Sequence, residues 1–299
     1  MKQQIKSSLI LLLTATIWGV AFVAQSVGME YIGPFTFNAI RCVLGGLVLI
    51  PVILVLKKKK ETGAENQEKE DKKTLWAGGI ACGVILCIAS NLQQFGIMEA
   101  SVGKSGFFTA LYIVMIPVIG IFIGKRPGIK LWFCVALAVV GMYLLCMKDG
   151  RFTIERADIM LLLCALAFSF HILVVDYFSP KVDGVKMSCI QFFVCGVLSA
   201  VGMLFTETPD ISNIQAAWLP LLYAGLLSCG VGYTLQIVGQ KGINPVIASL
   251  IMSLESVISA LAGWVILGQV LSPKEILGCV LMFVAIIITQ IPIGNKKTD

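Results

Sequence analysis

With 58% hydrophobic residues among 299, only 13% charged and a mean hydropathy of +0.91, the chain has too few polar side chains to clothe a water-soluble globule of its size. The net charge of +6 does not point to a nucleic-acid partner, because the lysines gather between apolar runs and no run interleaves basic with aromatic residues. The expected fold class is an all-α integral membrane protein surrounded by the lipid bilayer.

Stretches long enough to cross a bilayer, about 20 residues at roughly 1.5 Å of helical rise each, fall near Leu9–Val27, Phe35–Leu56, Leu75–Phe95, Ser105–Gly124, Ile129–Met147, Asp158–Phe178, Met187–Phe205, Ala217–Val238, Pro245–Leu267 and Glu275–Ile293. Ten transmembrane helices are thus expected. The first is not read as a cleaved signal peptide, since it recurs later in an internal repeat. Between the second and third spans, Lys57–Lys73 holds no apolar residue except Ala64 and reads as a solvated segment.

The ten cysteines all fall inside apolar runs, no CxxC pair exists, and the single histidine leaves no mixed zinc-type ligand set. They read as small packing residues, and no metal is expected. Lysine and arginine counts set the orientation. With the N-terminus inside, 17 basic residues fall on the cytoplasmic side and 5 (Lys104, Lys148, Arg151, Arg156 and Lys274) on the other. Both termini are therefore expected in the cytoplasm.

The two halves also resemble each other. A shift of 150 residues lays Trp18-Gly19 on Phe168-Ser169 and Arg41 on Gln191, and a shift of 143 lays Leu92-Gln93 on Leu235-Gln236, Leu111 on Leu254 and Tyr112 on Glu255. The repeats are read as residues 1–150 and 151–299. Each holds five spans, an odd number, so the second enters the membrane from the opposite side. Inverted-topology repeats of this kind are common in secondary transporters, with a site at their interface and alternating access around it.

The strings TIWGVAFVAQ with Pro34 and Arg41, GKSGFFTALYIVMIPVIG, and NPVIASLIMSLESVISALAGWVILGQ resemble the drug/metabolite transporter superfamily, specifically its ten-helix EamA-type members. The resemblance covers nearly the whole chain and implies an exporter of amino acids or other small metabolites in a bacterial plasma membrane. Two positions depart from the family pattern. Gln269 stands where an acidic residue usually follows LG, and Ser256 where many members have proline after the glutamate. The latter is expected to leave the helix straighter around Glu255.

Glu255 is the only ionisable side chain in Pro245–Leu267, with Lys241 14 residues before it and Lys274 19 after, too far to snorkel to it. It is either a proton-coupling or substrate-amine site, or a carboxyl tied across a helix interface. Arg41 keeps its charge and must pair with Glu255, with a helix-end carbonyl or with a substrate carboxylate. His171 is either a proton relay or a satisfied hydrogen-bonding residue. The amides Gln25, Asn38, Asn91, Gln93, Gln94, Gln191 and Gln236 exceed what helix packing needs, so some are expected to line a wet cavity. Its apolar walls are sought among Trp18, Phe22, Phe107, Phe108, Tyr112 and Tyr233. The candidate site is accordingly Glu255, Arg41, Gln94, Trp18, Gln25, Asn38, Asn91, Tyr112, His171, Tyr233 and Gln236.

No Walker-type phosphate loop, no GxGxxG after a strand and no HExxH is present, so no cofactor is expected. The partner is expected to be a small-molecule substrate; the sequence carries no reading on a homodimer. A secondary transporter is the first functional expectation. The alternative is a membrane-embedded enzyme using Glu255 and His171 as acid and base, which needs both groups around one reacting atom.

Overall fold

A computed structural model of the protein describes residues 2–62, 71–100, 102–124, 127–146, 155–268 and 272–291. Gln269 lies outside them. Among the described residues every regular element is a helix, and eight stretches are long and apolar enough to cross a membrane: Gln4–Gly28, Pro34–Lys58, Lys72–Glu99, Val102–Phe122, Arg156–Phe178, Gly184–Thr206, Trp218–Gln240 and Pro245–Ile266. The fifth and tenth expected spans correspond to shorter helices, Ile129–Cys146 and Pro273–Gln290, of 18 residues each, which pack chiefly on each other. Large apolar side chains such as Leu54, Phe122, Phe205 and Val265 point outward, as a lipid-facing surface requires.

In chain order the elements are α1 (Lys2–Gly28), α2 (Pro34–Thr62), α3 (Lys72–Glu99), α4 (Val102–Ala110), α5 (Tyr112–Phe122), α6 (Ile129–Cys146), α7 (Arg156–Phe178), α8 (Gly184–Thr206), α9 (Ile211–Ala216) and α10 (Trp218–Leu222). A π-helical segment (Tyr223–Tyr233) follows, then α11 (Thr234–Gln240), α12 (Pro245–Met252), α13 (Glu255–Leu267) and α14 (Pro273–Gln290). Helix starts carry local signals. Asp71, Asp183 and Asn244 each accept a backbone N–H of the first turn, and Ser272 with Glu275 forms a capping box. The charged segment after the second span is partly helical, because α2 runs on to Thr62, as a lysine run of good helix propensity permits.

Two expected spans are interrupted. Ser105–Gly124 is divided at Leu111, and Pro245–Leu267 at Ser253–Leu254. The ψ angles there are −8° at Leu111 and −13° at Ser253 and Leu254, tighter than the α-helical value near −42°. Hydrogen bonds accordingly close over three residues, with Val114 N to Leu111 O at 3.0 Å and Ser256 N to Ser253 O at 3.1 Å. The helix is thus interrupted just before Glu255 even though Ser256, not proline, follows the glutamate. Hydroxyls of Ser249, Ser253, Ser256 and Ser259 each donate to the carbonyl three residues back, at 2.7–2.9 Å. That back-bonding draws on the same carbonyls as the helical ladder.

Elements from the two halves of the chain interleave: α2 lies along α8, α3 along both α7 and α8, and α1 along α13. Gly79 and Gly83 of α3 permit the close approach to α8, where Ile190 and Val194 occupy the space that a side chain would need. At the end of α8, the Glu207 carboxylate accepts from Phe35 N and Thr36 N at 2.9 Å and from Thr36 Oγ1 at 2.6 Å. It thereby caps α2, whose first N–H groups would otherwise lack partners.

Candidate functional site

The interruptions in α4/α5 and α12/α13 set the site. Each tight turn is followed at once by a buried polar residue, Tyr112 in one case and Glu255 in the other. The Tyr112 hydroxyl donates to Glu255 Oε1 at 3.0 Å across a separation of 143 residues. Two residues related by the 143-residue repeat offset thus meet directly. Close neighbours hold α13 in place. A Cβ on Gly19 of α1 would lie 2.8 Å from the Glu255 carbonyl oxygen, and one on Gly106 of α4 would lie 2.9 Å from Ser259 Oγ.

Tyr112 and Glu255 line one interior cavity together with Trp18, Ala21, Phe22 and Gln25 of α1, Arg41 of α2, Gln93 of α3 and Thr109 of α4. Phe168 and Ile172 of α7, Ser228 and Tyr233 of the π-helical segment, and Gln236 of α11 complete it. Four pairs of these residues are repeat-related: Trp18 with Phe168 and Phe22 with Ile172 by 150 positions, Gln93 with Gln236 and Tyr112 with Glu255 by 143. The cavity volume is about 30 Å³, enough for ordered water and too small for a solute of several heavy atoms.

Arg41 is 2% exposed and donates from Nη1 to Gln25 Oε1 at 2.7 Å, while its Nε has no hydrogen-bond partner. Its guanidinium carbon also sits 5.6 Å from the centre of the Phe37 ring, within cation–π reach. No ion pair joins Arg41 to Glu255 among the described residues. Trp18 stacks at a tilt on Tyr233, with ring centroids 4.6 Å apart, and donates its Nε1–H to Ser228 O at 3.4 Å. Gln93 Nε2 donates to Thr109 Oγ1 at 3.4 Å. Gln236 donates weakly to Gln240 at 3.5 Å, leaving its own Oε1 without a partner.

Of the candidate residues, Glu255, Arg41, Trp18, Gln25, Tyr112, Tyr233 and Gln236 therefore share one cavity. Asn38, Asn91, Gln94 and His171 do not line it. Asn38 Nδ2 donates to Asn91 Oδ1 at 2.9 Å, and Asn91 Nδ2 to Ser199 Oγ at 3.0 Å, so this pair fastens α2, α3 and α8 together. Gln94 reaches Met29 Sδ at 3.4 Å. His171 Nε2 is 3.1 Å from Gln191 Oε1, and its ring meets Tyr233 edge-on at 6.0 Å, placing it behind the cavity wall. The acid–base pair Glu255/His171 is therefore not assembled around a common point of the cavity. Thr109, Ile172 and Ser228 were not singled out from sequence. The repeat offset marks Phe168 and Gln93, through their partners Trp18 and Gln236, whereas Ser228 takes part through a backbone carbonyl that no side-chain pattern signals.

Comparison with known proteins adds three findings. Residues 5–147 and, again, 155–291 each match the EamA-like transporter family. An uncharacterized transporter of Archaeoglobus fulgidus is 27% identical over 94% of this chain and 84% of its own length, and the uncharacterized transporter YwfM of Bacillus subtilis is 24% identical over 97% and 96%. A crystal structure superposes with a TM-score of 0.76 at 18% identity, covering 95% of this chain and 96% of that one, which shows a shared fold.

Proposed function

The chain belongs to the EamA-like transporter family, and from that premise we propose that it is a secondary transporter that exports small zwitterionic solutes, amino acids foremost, by alternating access. The observation that carries this reading is the cavity's charge arrangement. Arg41 is steadied by Gln25 and Glu255 by Tyr112, and neither neutralises the other. Burying the Arg41 guanidinium, whose Nε has no hydrogen-bond partner, without a counter-ion costs several kcal/mol. A solute carrying a carboxylate and an ammonium satisfies both groups at once, the first on the guanidinium and the second on the acid. Trp18 and Tyr233 offer an aromatic wall for the remainder of the solute.

In this reading the halves are two inverted five-helix repeats, residues 1–150 and 151–299, with α6 and α14 as the fifth and tenth crossings. The double family match and the four repeat-related pairs in the cavity wall support it. Both termini lie in the cytoplasm of a bacterial cell, in keeping with the 17 to 5 distribution of basic residues. Because the cavity is contracted to about 30 Å³, substrate entry requires the repeats to move apart on one side.

Counterflow of radiolabelled amino acids into proteoliposomes, with and without a pH gradient, tests the proposal. The parent is expected to show saturable flux, and Glu255→Gln to lose about tenfold or more, the equivalent of at least ~1.4 kcal/mol of lost charge-assisted binding. Parent flux indistinguishable from empty liposomes for every amino acid overturns the reading. A Glu255→Gln variant with undiminished, pH-sensitive flux overturns the assignment of Glu255.

A further inference from the structure

We propose that Lys104 and Asp158, assisted by Glu155, form the gate that closes the cavity on the membrane face opposite the termini. The inference rests on the transporter reading. Lys104 lies in the first turn of α4 and Asp158 in the first turn of α7, and each of these helices starts on that face after an odd number of crossings. Lys104 Nζ is 3.0 Å from Asp158 Oδ1 and 2.9 Å from Glu155 Oε2. The Asp158 carboxylate is held rigidly, because its second oxygen accepts the Glu155 backbone N–H at 2.9 Å.

The position is that of a gate. Thr109 of the cavity lies five residues beyond Lys104 on α4, and Phe168 lies ten residues beyond Asp158 on α7. At about 1.5 Å per residue these are roughly 8 and 15 Å of helix. The ion pair therefore stands between the cavity and the membrane face, joining a helix of the first half to a helix of the second.

Its exposure suits a reversible latch. The Asp158 side chain is 0% exposed, that of Lys104 27% and that of Glu155 58%. A buried ion pair roughly breaks even against the hydration its members recover on separation. Closure by such a pair is stable when α4 and α7 are together, yet the separated state, with both charges in water, lies close in free energy. An apolar seal lacks this property, since parting it exposes hydrocarbon to water with no compensating hydration.

The other end of the molecule provides the contrast. Under the repeat offsets, Lys104 corresponds to Ile247 of α12, and Asp158 to Ser8 of α1. Those two helices also pack together, but the equivalent positions hold no charge pair. At the repeat-related positions the opposite face thus has no ionic counterpart to this pair, and removing the latch should open the cavity from the face bearing Lys104.

Carboxylate labelling of the full-length protein in sealed, oriented proteoliposomes tests this, using a membrane-impermeant hydrophilic carbodiimide with an amine, and mass spectrometry to read the peptide carrying Glu255. Lys104→Met and Asp158→Asn should each speed Glu255 labelling by roughly tenfold when reagent is applied to the face bearing Lys104, which corresponds to ~1.4 kcal/mol of lost bias toward closure. The opposite face should show no change. Lys104→Arg, which keeps both ionic contacts, should label at the parent rate. Unchanged labelling in Lys104→Met and Asp158→Asn, or equal acceleration from both faces, overturns the gate. The readout involves no substrate, so a failed flux assay with intact one-sided labelling would sink the transport reading and not the latch.

Discussion

The interrupted helices of the two halves occupy equivalent places and differ in what they present. In the first half the turn at Leu111 delivers a phenol, Tyr112; in the second, the turn at Ser253–Leu254 delivers a carboxylate, Glu255. The preceding helices diverge as well. α3 runs without interruption from Lys72 to Glu99, whereas its counterpart contains the π-helical segment Tyr223–Tyr233, which ends on the cavity residue Tyr233. π-Helical turns are rare and concentrate at functional sites. The comparison teaches that the backbone frame is repeated while the chemistry is not. Repeat-related residues build the walls, and the charges of Arg41 and Glu255 have no charged counterpart in Gln191 and Tyr112.

The most disruptive way to break this comparison is to make the two turns chemically alike. Tyr112→Glu would set a second carboxylate against Glu255 in place of a hydrogen-bond donor. The expected loss is about 3–5 kcal/mol of stability, the scale of an uncompensated buried charge, read as a large drop in thermal stability of the purified protein. Glu255→Tyr restores a neutral pair and should be milder; an equal loss for both variants would show that size rather than charge decides.

A smaller effect is expected where the frame itself is tight. Gly19→Ala would push a methyl group against Ile258 and the Glu255 carbonyl, costing about 1–3 kcal/mol by overpacking. Denaturation measured on matched preparations checks this, and an unchanged midpoint would mean that α1 and α13 can separate without strain. The smallest effect belongs to the turn. Ser253→Ala removes the 2.8 Å hydroxyl bond to Leu250 O and should alter stability by less than ~1 kcal/mol. Amide hydrogen exchange should slow at Leu254 and Glu255 as the helix regains its regular ladder. Faster exchange there would show that the serine stabilises the turn rather than causing it.

Much of the architecture was legible because hydropathy acts on whole segments. Each apolar run of about twenty residues corresponds to helix, and the resemblance read from three strings agrees with the family match over both halves. Glu255 and Arg41 stood out because charges within such runs are costly. The interruptions were not legible: an average over a segment is the same whether the helix is continuous or broken, and the serine hydroxyls act only through local competition for carbonyls. Asn38, Asn91, Gln94 and His171 mark the same limit from another side. A polar group in a membrane helix requires a partner, but its own sequence neighbourhood does not tell whether that partner is another helix, as for Asn38 and Asn91, or a cavity, as for Gln25 and Gln236.

By itself the sequence determined that the chain crosses the membrane repeatedly, that its halves are related, and which few charges lie within apolar spans, since these follow from composition and spacing along the chain. Only the tertiary structure decided which polar side chains converge. Hydrogen bonds such as Tyr112 to Glu255, 143 residues apart, and ion pairs such as Lys104 to Asp158 depend on how helices pack laterally. That packing is set by small residues and close approach between helices, which no single helix encodes.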